Sequence, residues 1–256
     1  METEKQPDQS PPTGQLNIPT VIVGMGEVGK AHYELLSQIY PVLGVDLDAT
    51  KCQTNMSYQP ETAEVLLISV RFSDKFKDIV NENLEKYKPR ILNILSTVPC
   101  GTTEQFGNLA THSTSRGAHP LLSEGLKKIK KFVGGGNSPE LKIYFESAGI
   151  PCEIFRNSRT TELLHLLNNM AYGISIAFAD EAQKLCRQYG VDYFHFMKYT
   201  ESNNTGFRAL DMPTKMRTIA TPPNGHIGGH CVVSSANLIP EELRTPMINI
   251  LAHYND

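Results

Sequence analysis

A chain of 256 residues, 40% of them hydrophobic, can bury one large core or two modest ones, and two domains are expected. Its formal net charge of −3 and pI near 6.2 provide no basic field to gather nucleic acid or an anionic membrane. Small molecules are therefore the expected partners. Five cysteines (Cys52, Cys100, Cys152, Cys186 and Cys231) lack paired C-x-x-C spacing, which points away from a disulfide framework or zinc module and toward reduced thiols in a cytoplasmic protein. No uncharged apolar run reaches the ~18 residues of a membrane span. The opening METEKQPDQSPPTGQ has no apolar centre of a signal peptide. Rich in Pro, Gln and charge, it buries too little apolar surface to hold one shape, so residues 1–16 are expected to form a disordered tail.

The first β-rich run, Thr20 to Gly24, meets a cluster of glycines and is followed by a helical pattern from Gly29 to Ile39. Val42 to Val45 forms a second apolar run ending at Asp46, and Val65 to Val70 and Ile91 to Leu95 form two more. Runs apolar on both faces suit a parallel sheet covered by helices on each side. Ser73 to Lys86 is expected as a crossover helix. Later strands are expected at Gly117 to His119, Phe132 to Gly134 and Cys152 to Phe155, with a helix over Pro139 to Ala148. From Thr160 a long helical pattern reaches Tyr189 and stops at Gly190, the residue type that commonly ends helices. Asn203 to Gly229 reads as loop-rich, and Pro240 to His253 as a closing helix.

The glycine cluster, Gly24-Met25-Gly26-Glu27-Val28-Gly29, matches G-x-G-x-x-G between a strand and a helix, the setting that gives that motif meaning. The first glycine permits the turn, the second lets a pyrophosphate approach bare backbone at the positive helix end, and the third lets helix pack on strand. Asp46, about 20 residues on, can accept hydrogen bonds from the adenosine ribose, which favours NAD over NADP because a 2′-phosphate would meet a like charge.

Three further segments carry a resemblance. They are Ser96-Thr97-Val98-Pro99-Cys100-Gly101-Thr102-Thr103, the stretch Thr161 to Asn169 running on to Asp180-Glu181 and Gly190-Val191-Asp192, and Gly225-His226-Ile227-Gly228-Gly229-His230-Cys231-Val232. With the glycine motif, they make the chain resemble the UDP-glucose, UDP-N-acetylmannosaminuronate and GDP-mannose dehydrogenases from about residue 18 to 240. The matching features of that family are its S-T-V-P-x-G-T-T turn, long central helix and G-x-G-G-x-C loop. The resemblance implies a Rossmann-type doubly wound α/β domain over residues 17–158 and a smaller all-helical dimerisation domain over 159–256, of the 6-phosphogluconate-dehydrogenase-like kind. It implies an NAD-dependent oxidation of an alcohol to an acid through a Cys231 thiohemiacetal. Thr97 and Glu124 would position water, Asn169 would bind the developing oxyanion, and Lys51 would assist at the ribose. His165 and Asn169, four apart, share a helix face.

The chain departs from that family at several points. His165 stands where the family has a lysine, and histidine is charged only part of the time near neutral pH. Val233, Ser234 and Ser235 replace a stretch that contains the acid assisting the cysteine. The segment Lys51 to Glu64 is short, implying a lost element at one sheet edge. The sequence ends near the start of the family's C-terminal nucleotide-binding domain, which implies a truncated form whose groove lacks its second wall. The substrate is a small molecule, with nucleotide sugars one candidate class, and Arg217 either binds an anionic substrate across a dimer or is a solvated charge. Two alternatives stand beside this reading: a simple two-electron dehydrogenase in which Cys231 is an incidental buried thiol, and a catalytically idle NAD-binding or interaction protein. No metal is expected; His226, His230 and Cys231 form an incomplete ligand set. A homodimer packed through the helix Thr160 to Tyr189 is expected, because its apolar residues cover more than one face.

Overall fold

The computed structural model describes residues 16–117, 120–223, 225–227 and 232–256. Apart from Leu16, the expected tail over residues 1–16 lies outside these residues. The chain divides into two compact units, one ending at Leu164 and the other running His165–Asp256.

The first unit is built on eight strands: β1 (Thr20–Val23), β2 (Val42–Val45), β3 (Gln53–Thr54), β4 (Val65–Ile68), β5 (Ile91–Ile94), β6 (Ala110–Ser113), β7 (Lys131–Gly135) and β8 (Cys152–Phe155). They form one sheet in the order β3-β2-β1-β4-β5-β6-β7-β8. β2, β1, β4, β5 and β6 run parallel, while β3 and the β7–β8 pair run the other way. Among the described residues of this unit, the helices that lie wholly within it are α1 (Glu27–Leu36), α2 (Phe76–Tyr87), α3 (Leu122–Lys128) and α4 (Ser138–Ser147).

Alternation along the strands sorts the core into two layers. Ile22, Val65, Leu67 and Ile91 pack with Leu35, Leu36, Leu126, Leu141 and Phe145 of α1, α3 and α4. Val21, Leu66, Ile68, Leu92 and Ile94 pack with Phe76 and Val80 of α2. Each fully buried aliphatic side chain contributes about 1.5–3 kcal/mol relative to exposure. A one-residue slip would exchange the two layers wholesale, so packing fixes the register Ile22↔Leu67 and Leu67↔Asn93. The expected missing element at the sheet edge has its counterpart in β3, two residues long. Asn55 closes that edge, accepting from Val42 N at 2.6 Å and donating to Ser37 O and Tyr40 O at 2.8 and 2.9 Å.

One expected strand is misplaced. The strand after β5 is Ala110–Ser113, not Gly117 to His119; Gly117 is loop, and Ala118 and His119 lie outside the described residues. The segment Ala-Thr-His-Ser is polar because its buried side chains satisfy one another. Asn93 Nδ2 donates to Thr111 Oγ1 (3.0 Å), and Ser113 donates to Asn93 Oδ1 (2.8 Å). Lys131, which opens β7 and is 1% exposed, ends this network. Its Nζ donates to Thr114 O at 2.9 Å, lies 3.4 Å from Ser113 Oγ and Ser115 Oγ, and sits 4.9 Å from the Phe145 ring centroid.

In the second unit, the long helix α5 (Ser158–Gln188), which begins in the first, is followed by α6 (Tyr193–Ala209), α7 (Val232–Asn237) and α8 (Pro246–Ala252). Leu166, Met170, Ile227, Val232, Ala236 and Leu251 form its core. Gly190, at φ +66°, ends the α5 region as expected. Two expectations need correction. The loop expected from Asn203 begins only after Ala209, because Asn204, though a poor helix former, bonds Arg217 N and O, both at 2.8 Å, and so gains a tertiary role. The closing helix is broken into a 3₁₀ turn, Glu241–Leu243, and α8, since Pro246 lacks the N–H that would continue an earlier helix. No helix among the described residues is long and apolar enough to cross a membrane.

Burial pushes the Lys131 amine down from 10.5 to about 7, with Arg116 adding to the shift and the Cys152 thiol opposing it; the buried His32, also near Lys131, is held neutral by burial. Between these limits the unfolded chain holds a proton that the folded chain lacks, so stability rises with pH. The stability difference between Lys131→Met and wild type is expected to fall by about 1.4 kcal/mol per pH unit from pH 7 toward 10. Urea unfolding across that range checks it.

Candidate active site

The turn between β1 and α1 is held from both flanking strands. Gly24 N donates to Val45 O and Ser69 N to Val23 O, each at 2.8 Å, while Ser69 Oγ donates to Gly24 O at 2.6 Å. Gly24 takes φ +92°, and a Cβ there would lie 2.8 Å from Ser69 O; at Gly29 it would come within 1.9 Å of Gly24 O. At Gly26, the residue preceding α1, a Cβ would meet nothing within 4 Å. Two glycines are thus required by packing. The middle one leaves open space where α1 presents the N–H groups of its first turn and the positive end of its dipole. Met25 side-chain atoms fill the space beside Gly44, while Glu27 and Val28 open the helix.

Asp46 joins this turn from the end of β2. Its Oδ2 accepts from Met25 N at 2.7 Å and its Oδ1 from Asp48 N at 3.0 Å. A carboxylate offers about four acceptor sites, so two remain for ribose hydroxyls, and the bound N–H groups hold them in place. Lys51 is paired with Asp48 at 3.5 Å, both side chains about half exposed. Such a surface pair is worth at most about 1 kcal/mol and is readily exchanged for another anion.

Thr97 follows β5 in the turn Ser96 to Thr103. Glu162 of α5, 1% exposed, holds that turn, accepting from Gly101 N at 2.6 Å and Thr103 N at 2.8 Å. Burial pushes the Glu162 carboxyl up, and these bonds pull it back. Glu124 is exposed on α3 and paired with Lys128 at 3.7 Å. Ser69 and Glu162 were not marked as site-building residues in the sequence. The signal for Glu162 was an acid among apolar neighbours at the start of a long helix; Ser69 offered none.

In the second unit, His165 is buried and Asn169 half-buried on one face of α5. Asn169 Nδ2 donates to Ser235 Oγ at 3.1 Å, leaving one amide proton for an oxyanion. Ser235 therefore occupies the neighbourhood of Asn169 where the resemblance implied an acid. The Arg217 guanidinium lies 5.1 Å from the Phe207 ring centroid and donates to Lys215 O. Cys231 and His230 lie outside the described residues. Among the described residues, no group of three or more His, Cys, Asp or Glu side chains is placed to hold a metal ion.

A mostly parallel, doubly wound sheet with a glycine turn and acid at its first crossover, followed by a long helix and a helical unit, is an α/β fold of the Rossmann type. Among known proteins with this fold, the chain is similar to nucleotide-sugar dehydrogenases. It is 22% identical to the UDP-N-acetyl-D-mannosamine dehydrogenase of Methanocaldococcus jannaschii over 263 aligned positions, covering 82% of this chain and spanning 58% of that relative's length. Its fold is similar to that of UDP-D-ManNAc dehydrogenase from Pyrococcus horikoshii (TM-score 0.75, 19% identity, 93% of this chain and 68% of that one). It is also similar to that of 3-hydroxyisobutyrate dehydrogenase from Mycobacterium tuberculosis (TM-score 0.69, 14% identity, 94% and 93%). No family model matches the chain.

The glycines separate folding from binding. Gly29→Ala is expected to lower stability by about 3 kcal/mol or more through its clash with Gly24 O. Gly26→Ala should leave Tm unchanged and weaken NADH at least tenfold by blocking the open backbone. Thermal melts and NADH titration of both variants check this.

Proposed function

We propose that the protein is an NAD-dependent oxidoreductase acting on a CH–OH group, of the kind carried by nucleotide sugars. The observation that carries this reading is the Asp46 carboxylate bonded to Met25 N at the mouth of α1, which sets a ribose acceptor beside an open anion site. NAD bound there supplies a hydride acceptor. The glycine turn holds its pyrophosphate, and Asp46 with Asp48 disfavours a 2′-phosphate.

In the four-electron reaction, which would consume two NAD in turn, hydride loss from the alcohol carbon and passage of its hydroxyl proton to water leave an aldehyde. The Cys231 thiolate adds to that carbon, and the Asn169 amide donates to the resulting oxyanion. Loss of a second hydride gives a thioester. Water then cleaves it, releasing the acid and restoring the thiol. His165, when protonated, supplies a cation beside Asn169 on the same helix face. The likeness to 3-hydroxyisobutyrate dehydrogenase over 94% of this chain and 93% of that one, together with Ser235 standing near Asn169 in place of an acid, favours a second reading: a single two-electron oxidation without Cys231.

A homodimer through α5 and a cytoplasmic location complete the proposal. Leu164, Leu167, Tyr172, Phe178 and Leu185 of α5 are all at least 39% exposed, an apolar stripe suited to a second copy. The described cysteines are all free thiols.

Fluorescence titration with NADH and NADPH is expected to give saturable binding that prefers NADH, reduced at least tenfold by Asp46→Ala. Equal binding of both cofactors, or of neither, sinks the proposal. A screen of UDP-hexoses and 3-hydroxy acids then separates the readings: Cys231→Ser abolishes aldehyde oxidation in the first and leaves alcohol oxidation intact in the second.

A further inference from the structure

We infer that Ser69 is a positioning residue for Asp46, acting through the peptide group between Gly24 and Met25; its bearing on the cofactor rests on the reading of Asp46 as the ribose carboxylate. That peptide group is held at both ends. Its carbonyl oxygen, on Gly24, accepts from Ser69 Oγ at 2.6 Å, and its N–H, on Met25, donates to Asp46 Oδ2 at 2.7 Å. A peptide group is rigid and planar, so its C=O and N–H turn together about the flanking Cα atoms. A hydroxyl beyond β4 therefore sets the direction in which an amide proton meets a carboxylate at the end of β2.

Glycine makes this restraint necessary. Gly24 takes φ +92°, and without a Cβ it does little to limit rotation of the peptide group that follows it. Turning that group over would withdraw the Met25 N–H from Asp46 and aim a carbonyl oxygen at the carboxylate instead, one negative end against another. Both hydrogen bonds would be lost together. Ser69 is itself firmly placed. Its N–H donates to Val23 O at 2.8 Å, and the carbonyl before it, Ile68 O, accepts from Leu95 N at 2.8 Å and from Ser96 Oγ at 3.2 Å, which ties it to the ends of β1 and β5. Close packing surrounds the hydroxyl: a Cβ on Gly29 would come within 2.8 Å of Ser69 Oγ, and one on Gly24 within 2.8 Å of Ser69 O. The Gly24–Met25 peptide thus links a half-buried hydroxyl on one neighbouring strand to the acid on the other.

The test compares Ser69→Ala, Asp46→Ala and the double variant in the full chain. Hydrogen exchange is read at the Met25 and Gly24 amides, and NADH binding by fluorescence titration. Losing the hydroxyl should speed exchange at Met25 about fivefold, the equivalent of one ordinary hydrogen bond. Gly24, whose N–H donates to Val45 O, should keep its wild-type rate. Unchanged exchange at Met25 overturns the inference, as does equal acceleration at both amides, the mark of a general loosening of the turn. NADH should bind about fivefold more weakly to Ser69→Ala than to wild type, yet within about twofold as well to the double variant as to Asp46→Ala, because the two side chains act along one line. Additive losses overturn the inference. If Ser69→Ala fails to fold, Ser69→Cys, which keeps a weaker donor at that position, decides on the same readouts. A wild type that binds no NADH, or an Asp46→Ala variant that binds it as well as wild type, defeats the reading of Asp46, while the exchange rates still decide whether Ser69 holds the peptide that meets it.

Discussion

Everything proposed for the first unit depends on how the backbone between β1 and α1 is gripped. Gly24 is bonded on one side to Val45 O, the last residue of β2, and on the other to the Ser69 hydroxyl beyond β4. The adjoining Met25 N–H is bonded to Asp46. The turn thus takes its position from three adjacent parallel strands whose registers are set by buried apolar side chains. Placing an anion site there also places it at the carboxyl end of the sheet, where doubly wound folds gather ligands. Asp46 serves twice. It completes the turn's hydrogen bonding through Met25 N and keeps further acceptor capacity, so folding alone arranges the carboxylate that the proposed reading assigns to a ribose.

The two units use buried polar groups differently. In the sheet unit, Asn93, Thr111, Ser113 and Lys131 form a connected network inside an otherwise apolar layer. Glu162 closes the Pro99–Thr103 turn with a buried carboxylate. Of these, Lys131 and Glu162 are ionisable, and their burial has a cost unless every hydrogen bond is made. In the helical unit such tertiary bonds are made by neutral amides, Asn169 to Ser235, Asn204 to Arg217, and Asn255 to Ile227, beside the charged Asp180 that accepts from Tyr254.

Much of the sheet unit was legible in the sequence because its central strands are apolar on both faces and its glycine motif sits in register with Asp46. Cys152–Phe155 and the long helix ending near Gly190 were placed closely for the same reason, strong local pattern. β6 was not, since Thr111 and Ser113 are buried through hydrogen bonds that only the partner strand reveals. α6 was missed where Asn203, Asn204 and Gly206 weaken its local propensity while tertiary bonds hold it. At the site, the turn glycines and Asp46 were readable from spacing, and the departure at Ser235 from the resemblance. Ser69 and Glu162 were not, because each acts on backbone atoms distant in sequence: Ser69 bonds a residue 45 positions away and Glu162 one 61 positions away.

The paired amides of Asn204 and Asn255 have one further consequence. An amide carries no net charge across the whole biological pH range and gains nothing from a counter-ion, so the connection from Arg217 to Ile227 is fastened at both ends by bonds indifferent to acid and salt. The sheet unit, with Lys131 titrating in its interior, has no such indifference. Acidification through about pH 7 therefore charges Lys131 inside the sheet unit, while the amide bonds at Asn204 and Asn255 stay as they are.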